Sequence, residues 1–324
     1  MMYENPNSNR KNPFRKVYDS EKYKNVLKNR DNVSPFPQLV DVELTNHCNL
    51  SCIFCGQQTM KRPKGFMTRE TFKKVVDECA IHKTPIRFIR WGEPFLHKNI
   101  IDFARYIKDN DLWLHITSNG LAIKDKDMES LVDLGVESLV FSFQGATKEQ
   151  YEIMRNNKRY DELKENVLRM VEIRGEKEKP FIHVSSTMTN ETKDEVNEFM
   201  KYWGGIVDSV GVGKTNLSYL SMNQIKSFEN LGKLELVKKQ ETIKKEYRAC
   251  TEVYQKMGIN WDGKVTACCA DFDEYLIVGD LADSAISDIW QNSEELKAIR
   301  LLLDKMKHWS LNLCSRCYQT YDEF

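Results

Sequence analysis

The stretch Leu39-Val-Asp-Val-Glu43-Leu-Thr-Asn-His47-Cys48-Asn-Leu-Ser-Cys52-Ile-Phe54-Cys55 decides how this chain is read. Its first half, Leu39–Leu44, is a short strand-like run. Three cysteines follow, separated by three residues and then two. Three thiolates can hold three irons of a [4Fe–4S] cube and leave the fourth iron open to a ligand. An open iron is a reactive position, so the spacing points to chemistry rather than scaffolding. A structural zinc site is the competing reading. Zinc takes four ligands, often as CxxC pairs; no fourth cysteine lies nearby, and His47 is the adjacent group that could ligate.

Outward from this stretch, strand-like runs recur at Ile86–Arg90, Leu112–Thr117, Ser138–Phe143, Phe181–Thr187 and Ile206–Val212. Helical patterns fall between them, at 68–83, 97–109, 125–134, 161–174 and 191–202. Thr147-x-x-Gln150 and Thr192-x-x-Glu195 read as capping boxes at helix starts. Six strands alternating with helices imply a parallel β/α architecture. Periodicity alone does not choose between an open sheet and a barrel. Residues 1–37 read as a polar N-terminal extension with one short helix around Glu21–Lys28. The core runs over 38–213, a connecting segment ending in a helix over 214–248, and a cysteine-rich module over 249–324.

The chain has 324 residues, 48 Lys+Arg against 48 Asp+Glu, and a formal net charge of zero. Nothing in that balance calls for nucleic acid or an anionic membrane surface. No apolar run approaches the roughly 18 residues of a membrane span, and the polar N-terminus has no signal-like apolar region. A cytoplasmic location is expected. There, nine cysteines stay reduced and serve metals or catalysis rather than disulfides. Cys79 sits on the helical stripe Phe72, Val75, Val76, Cys79 and reads as a core thiol.

The CxxxCxxC run, with Phe54 before its last cysteine, resembles the signature of radical S-adenosylmethionine (SAM) enzymes. That resemblance implies a partial (β/α)6 TIM barrel, a [4Fe–4S] cluster on Cys48, Cys52 and Cys55, and SAM on its open iron. The remaining SAM motifs follow the next strands in order. Arg90-Trp91-Gly92-Glu93-Pro94 is similar to the family's GGEP motif, with Trp91 at the first glycine; Gly92 and Glu93 would bind the methionine amino group. Thr117-Ser118-Asn119-Gly120 is similar to the turn beneath the ribose. Ser142-Phe143-Gln144-Gly145 stands where many relatives carry Ser-x-Asp-Gly, with Gln144 offered to ribose hydroxyls. Arg155 resembles the arginine that pairs with the SAM carboxylate.

Trp261-Asp262-Gly263-Lys264 is a hairpin signal, flanked by Cys250 and Cys268 and followed by Cys314-Ser-Arg-Cys317. This resembles the SPASM and twitch modules, which hold auxiliary [4Fe–4S] clusters; the match implies one cluster on Cys250, Cys268, Cys314 and Cys317. A four-cysteine zinc site is the alternative. On a strand, Cys269 would point to the opposite face from Cys268, as a spare thiol, an alternate ligand or a hydrogen-atom donor.

The layout is similar to radical SAM members of surface-polysaccharide and aminocyclitol pathways. It implies hydrogen abstraction from a small polyol (a sugar, nucleotide sugar or aminocyclitol), ending in oxidation or epimerisation, with a flavodoxin- or ferredoxin-type reductant. Cys269, His183 and Glu43 are the candidate catalytic groups, and Ser185 and Lys214 are further groups near strand ends. A peptide-modifying enzyme and a non-catalytic iron–sulfur or zinc protein remain the alternatives.

Overall fold

The computed structural model describes residues 2–189, 191–215 and 247–317. Its strands are β1 (Met2–Glu4), β2 (Leu39–Val42), β3 (Ile86–Phe88), β4 (Leu114–Ser118), β5 (Ser138–Ser142), β6 (Phe181–Met188), β7 (Ser209–Lys214), β8 (Lys256–Ile259), β9 (Lys264–Thr266) and β10 (Ile277–Asp280). Strands β2 to β7 are the six expected from the sequence. Helices Arg69–His82, Ile100–Asp109, Asp125–Asp133, Tyr160–Arg174 and Lys193–Gly204 match the five helical patterns. An additional helix, Lys148–Arg155, follows β5. The result is the (β/α)6 succession of a partial TIM barrel, with a small β-rich C-terminal part. The expected connecting segment falls almost wholly in residues 216–246, outside the described residues, as does the tail beyond residue 317. No helix among the described residues is long and apolar enough to cross a membrane.

The chain forms two compact units. One comprises Met1–Asn12, Cys48–Thr59 and Ile116–Lys244; the other comprises Pro13–His47, Met60–His115 and Lys245–Phe324. The pairing of strands explains how each unit draws on separate stretches of sequence.

In the first unit β5, β6 and β7 pair in parallel, with Ser138↔Phe181 and His183↔Ser209 in register. Their apolar residues (Leu139, Phe141, Ile182, Val184, Val210) are completely buried, as parallel strands covered on both faces require. The N-terminal extension contributes β1, which the sequence reading missed. Met2–Glu4 is antiparallel to β7, Tyr3 opposite Val210, and three exposed residues carry no period that marks a strand. The Thr192–Glu195 capping box forms in both directions. At Thr147 only the threonine half forms, because Gln150 Oε1 accepts from Thr189 instead.

In the second unit β2 lies between two parallel partners. Val40 is opposite Ile86 of β3, and opposite Met257 of β8. The C-terminal hairpin thus extends the sheet begun by β2: β8 and β9 pair antiparallel (Ile259↔Val265), and β9 pairs with β10. This is the hairpin that Asp262-Gly263 signalled. The expected helix near Glu21–Lys28 is a single turn, Glu21–Lys24, capped by Ser20.

Candidate active site

Within the first unit, the loop carrying Cys48, Cys52 and Cys55 is anchored by backbone. Ile53 N–H donates to the carbonyl of Met154 (3.0 Å), and Cys55 N–H to that of Cys52 (3.1 Å). Arg155 ends the helix after β5 and is buried. Its Nη1 lies 3.4 Å from Cys52 Sγ, and its Nη2 donates to the carbonyls of Ser142 (2.6 Å) and Phe143 (3.3 Å). The guanidinium also sits 5.6 Å from the Phe54 ring centre. Asn119 Nδ2 donates to Cys48 Sγ (3.6 Å) and to Asn49 Oδ1 (2.8 Å). The fold therefore gathers Cys48, Cys52, Phe54, Asn119, Ser142 and Arg155, from four separate stretches of sequence.

The electrostatics fit a cationic cofactor. Burial pushes the Cys55 thiol up to about 12, and the neighbouring Cys52 and Cys48 sulfurs add to it. Bare thiolates here would repel one another, and a metal centre relieves that repulsion. Burial works against the Arg155 cation, but Cys52, Tyr151 and Cys48 outweigh it and hold its pKa above the usual guanidinium value. Soft sulfur donors with one guanidinium and one amide beside them suit an iron–sulfur cluster. Among the described residues no three His, Cys, Asp or Glu side chains stand close enough to hold a single ion; a cube binds its thiolates at separate corners and does not need them to.

Gly120 takes φ +75°, and a Cβ there would lie 2.4 Å from Leu163 and 2.8 Å from Phe141. Its N–H donates to Ser118 Oγ (2.9 Å), and Leu121 N–H donates to Asn119 Oδ1 (2.9 Å), so the Ser118–Asn119 turn is fixed. Gln144 is already engaged: its Nε2 donates to Thr187 O (2.9 Å) and Thr215 Oγ1 (2.7 Å), and its Oε1 accepts from Thr187 Oγ1 (2.6 Å).

In the second unit, Gly92 follows β3 at φ +135°. A Cβ there would meet Thr45 O at 2.1 Å and His47 O at 2.9 Å. Only glycine allows this approach to the residues just before Cys48. Glu93 is buried; its N–H donates to His47 O (2.8 Å), and its Oε1 accepts from Phe95 N–H (3.1 Å). Trp91, at the position of the motif's first glycine, packs edge-on against Phe272 (5.6 Å between ring centres).

The C-terminal cysteines influence one another as neighbours do. Burial raises Cys250 to about 12, with Glu252 and Cys317 contributing. Burial raises Cys314 to about 12, with Cys250 and Cys317 contributing. Cys268 is pushed up by its hydrogen bond to Cys269, by burial, and by Cys250 among others. Cys250 thus lies within electrostatic reach of Cys268, Cys314 and Cys317, the last of them more than sixty residues away in sequence.

One expectation needs correction, and the structure gives each candidate catalytic group definite partners. Cys268 and Cys269 lie beyond β9, in a turn closed by Asp271 N–H to Cys268 O (3.1 Å). Strand alternation does not apply there. The two thiols hydrogen-bond to each other, which pulls Cys269 down as it pushes Cys268 up. Cys269 Sγ also lies 3.4 Å from Glu252 Oε2, which Lys256 holds at 2.8 Å. Glu43 does follow β2, but it is locked in a buried bidentate pair with Arg62 (2.7 and 2.6 Å). His183 is the third residue of β6, toward its N-terminal end, with Nδ1 on Ser209 Oγ (2.6 Å). Burial pulls its imidazole down to about 4. Of the further groups, Ser185 lies inside β6 paired with Ser142, and Lys214 is the exposed last residue of β7.

Two arginines escaped the sequence reading. Arg62 also donates from Nε to Phe272 O (2.8 Å), and Arg90 donates to Cys268 O (3.3 Å), Asp271 O (3.0 Å) and Asn260 Oδ1 (2.9 Å). Their partners are up to 210 residues away, so no local pattern could have flagged them.

Residues 42–202 match the radical SAM superfamily, and residues 250–318 match SPASM, an iron–sulfur cluster-binding domain. The chain is 25% identical over 311 residues to the tungsten-containing aldehyde ferredoxin oxidoreductase cofactor-modifying protein of Pyrococcus furiosus, covering 85% of this chain and 86% of that one. It is 22% identical over 289 residues to the S-adenosyl-L-methionine-dependent 2-deoxy-scyllo-inosamine dehydrogenase of Niallia circulans, covering 86% and 92%. Among solved structures it resembles Streptococcus suis SuiB bound to S-adenosylmethionine, with a TM-score of 0.66 at 16% identity, covering 96% of this chain and 79% of that one.

Proposed function

Because the chain belongs to the radical SAM superfamily and carries a C-terminal SPASM domain, we propose that it removes hydrogen from a small polyol, a sugar, nucleotide sugar or aminocyclitol, and oxidises or epimerises it. The domain pair takes SAM and two [4Fe–4S] clusters. When bound, these supply a 5′-deoxyadenosyl radical for hydrogen abstraction and, at the second cluster, an electron acceptor. Cys48, Cys52 and Cys55 hold the first cluster. Arg155 orients Cys52 through Nη1 while its Nη2 stays on the Ser142 and Phe143 carbonyls. Asn119 steadies Cys48. Gly92 and Glu93 receive the amino group of SAM, and the Ser118–Asn119 turn its ribose side. Gln144 shapes this region through Thr187 and Thr215 rather than offering free hydrogen-bonding groups.

One observation carries the oxidative reading. Cys250 lies within electrostatic reach of Cys268, Cys314 and Cys317, which makes a set of four thiols. Four thiolates saturate a cube, and a saturated cube exchanges electrons rather than binding substrate. The whole-length likeness to an aminocyclitol dehydrogenase supports the same choice. Of the three candidate catalytic groups, Glu43 and His183 are tied into structural partners, and Cys269 keeps a thiol beside the second cluster's ligand. A cytoplasmic setting with a flavodoxin- or ferredoxin-type reductant belongs to the same proposal, since nine cysteines would be kept reduced there for metals and catalysis.

The test is label transfer. Anaerobically reconstituted protein is incubated with SAM, dithionite and deuterated sugars, nucleotide sugars or aminocyclitols, and 5′-deoxyadenosine is analysed by mass. Deuterium in 5′-deoxyadenosine with one polyol class supports the proposal. Transfer from a peptide panel alone, or zinc in place of iron and no SAM cleavage, overturns it.

A further inference from the structure

The turn from Cys268 to Asp273 is held by two arginines that arise far from it in sequence, and the two differ in charge balance. Arg62 reaches it through Nε on Phe272 O (2.8 Å), while Asp273 Oδ1 accepts the backbone N–H groups of Lys61 (2.6 Å) and Arg62 (2.8 Å). The charge of Arg62 is compensated by Glu43. Arg90 reaches the same turn with Nη1 on Cys268 O (3.3 Å) and Nη2 on Asp271 O (3.0 Å) and Asn260 Oδ1 (2.9 Å). All three acceptors are neutral, and Arg90 forms no ion pair among the described residues. The carboxylate that feels it, Asp41, is already held by Arg87 at 2.6 and 2.8 Å.

The path of Arg90 to the turn depends on a glycine. Its guanidinium crosses β8 at Gly258, where a Cβ would lie 2.2 Å from Nη1 and 2.9 Å from Cζ. Every other residue type at 258 would displace the head group. In sequence, Arg90 immediately precedes Trp91-Gly92-Glu93, so the residue that grips the second cysteine site is covalently joined to the segment proposed to bind SAM.

We propose that Arg90 is a positioning residue for the auxiliary cluster: it fixes Cys268 through its carbonyl and sets an uncompensated positive charge beside that ligand, raising the cluster's reduction potential. Reduction adds negative charge to a cluster, and a nearby cation stabilises the reduced form; hydrogen bonding and charge around the thiolates are the protein's levers on potential. A higher potential is what an acceptor of substrate electrons needs. This inference rests on the proposed second cluster.

The experiment uses the full-length chain with Cys48, Cys52 and Cys55 replaced by alanine, so that only the C-terminal cluster contributes. An EPR-monitored redox titration gives its midpoint. Arg90→Met is expected to shift the midpoint downward by more than the spread of replicate titrations. Arg90→Lys restores most of the shift, because the charge returns. Gly258→Ala lowers the midpoint with Arg90 still present. The double variant Arg62→Met/Glu43→Leu removes the other grip together with a neutral pair and leaves the midpoint in place. An unchanged midpoint in Arg90→Met with full iron content overturns the inference and leaves the proposed function standing. If Arg90→Met retains no cluster, Gly258→Ala decides in the same way. A parent protein that assembles no C-terminal cluster refutes both readings.

Discussion

Arg62→Met tests whether Glu43 is a structural anchor. The two side chains are 3% and 1% exposed, and the pair is bidentate at 2.7 and 2.6 Å. Removing the arginine leaves the glutamate enclosed without its counter-charge, a change that costs about 3–5 kcal/mol. Loss of the Nε bond to Phe272 O adds about 1 kcal/mol. An unfolding entropy of about 2.1 cal/mol/K per residue gives about 0.7 kcal/mol/K for the chain. The melting temperature should therefore fall by about 6–9 °C if the chain unfolds together, and by more if one unit unfolds alone. Replacing both partners, Arg62→Met with Glu43→Leu, should recover most of the loss, because apolar residues of similar size need no counter-charge. Differential scanning calorimetry of the cluster-free protein is the assay, since bound metal would stabilise the folded state by mass action. A single variant that melts within 1 °C of the parent, or a double variant as unstable as the single one, would show that the pair does not anchor the loop.

Cys52→Ala should abolish SAM cleavage, read as 5′-deoxyadenosine by chromatography; retained cleavage contradicts the ligand assignment. Cys314→Ala should allow SAM cleavage but block net oxidation, and unchanged product yield would remove the electron-acceptor role. Gly92→Ala should cut SAM binding at least tenfold in equilibrium dialysis, because a Cβ at φ +135° collides with the Thr45 carbonyl; near-parent affinity would show that this turn does not shape the site. His183 gives a pH signature. Its imidazole, lowered to about 4 by burial, is near 6.5 when unfolded, so the unfolded state binds the extra proton between those values. Stability should therefore fall with acidification from about pH 6.5 to about pH 4, by about 3 kcal/mol at most. In urea unfolding, His183→Gln should flatten that slope, and an identical slope in the variant would assign it to other groups.

The sequence by itself determined the cofactor chemistry and the order of the fold. Cysteine spacing is local, so Cys48, Cys52 and Cys55 could be read without coordinates. The six strands and five helices were legible because burial on one side or both imposes a period on nearby residues. The glycine turns at Gly92 and Gly120 were legible because backbone that must take positive φ selects its residue type. The tertiary structure decided everything that depends on distant partners. It placed Arg62 against Glu43, took Cys269 off the strand, set His183 on Ser209, and added β1 at the edge of β7. It also ran β8 beside β2, joining Pro13–His47 to residues from Lys245 onward in one unit. Pairings across tens to hundreds of residues leave no period in the sequence. They are fixed only when strands pair and long side chains such as Arg62 and Arg90 find carbonyl and carboxylate oxygens that would otherwise be buried without a donor.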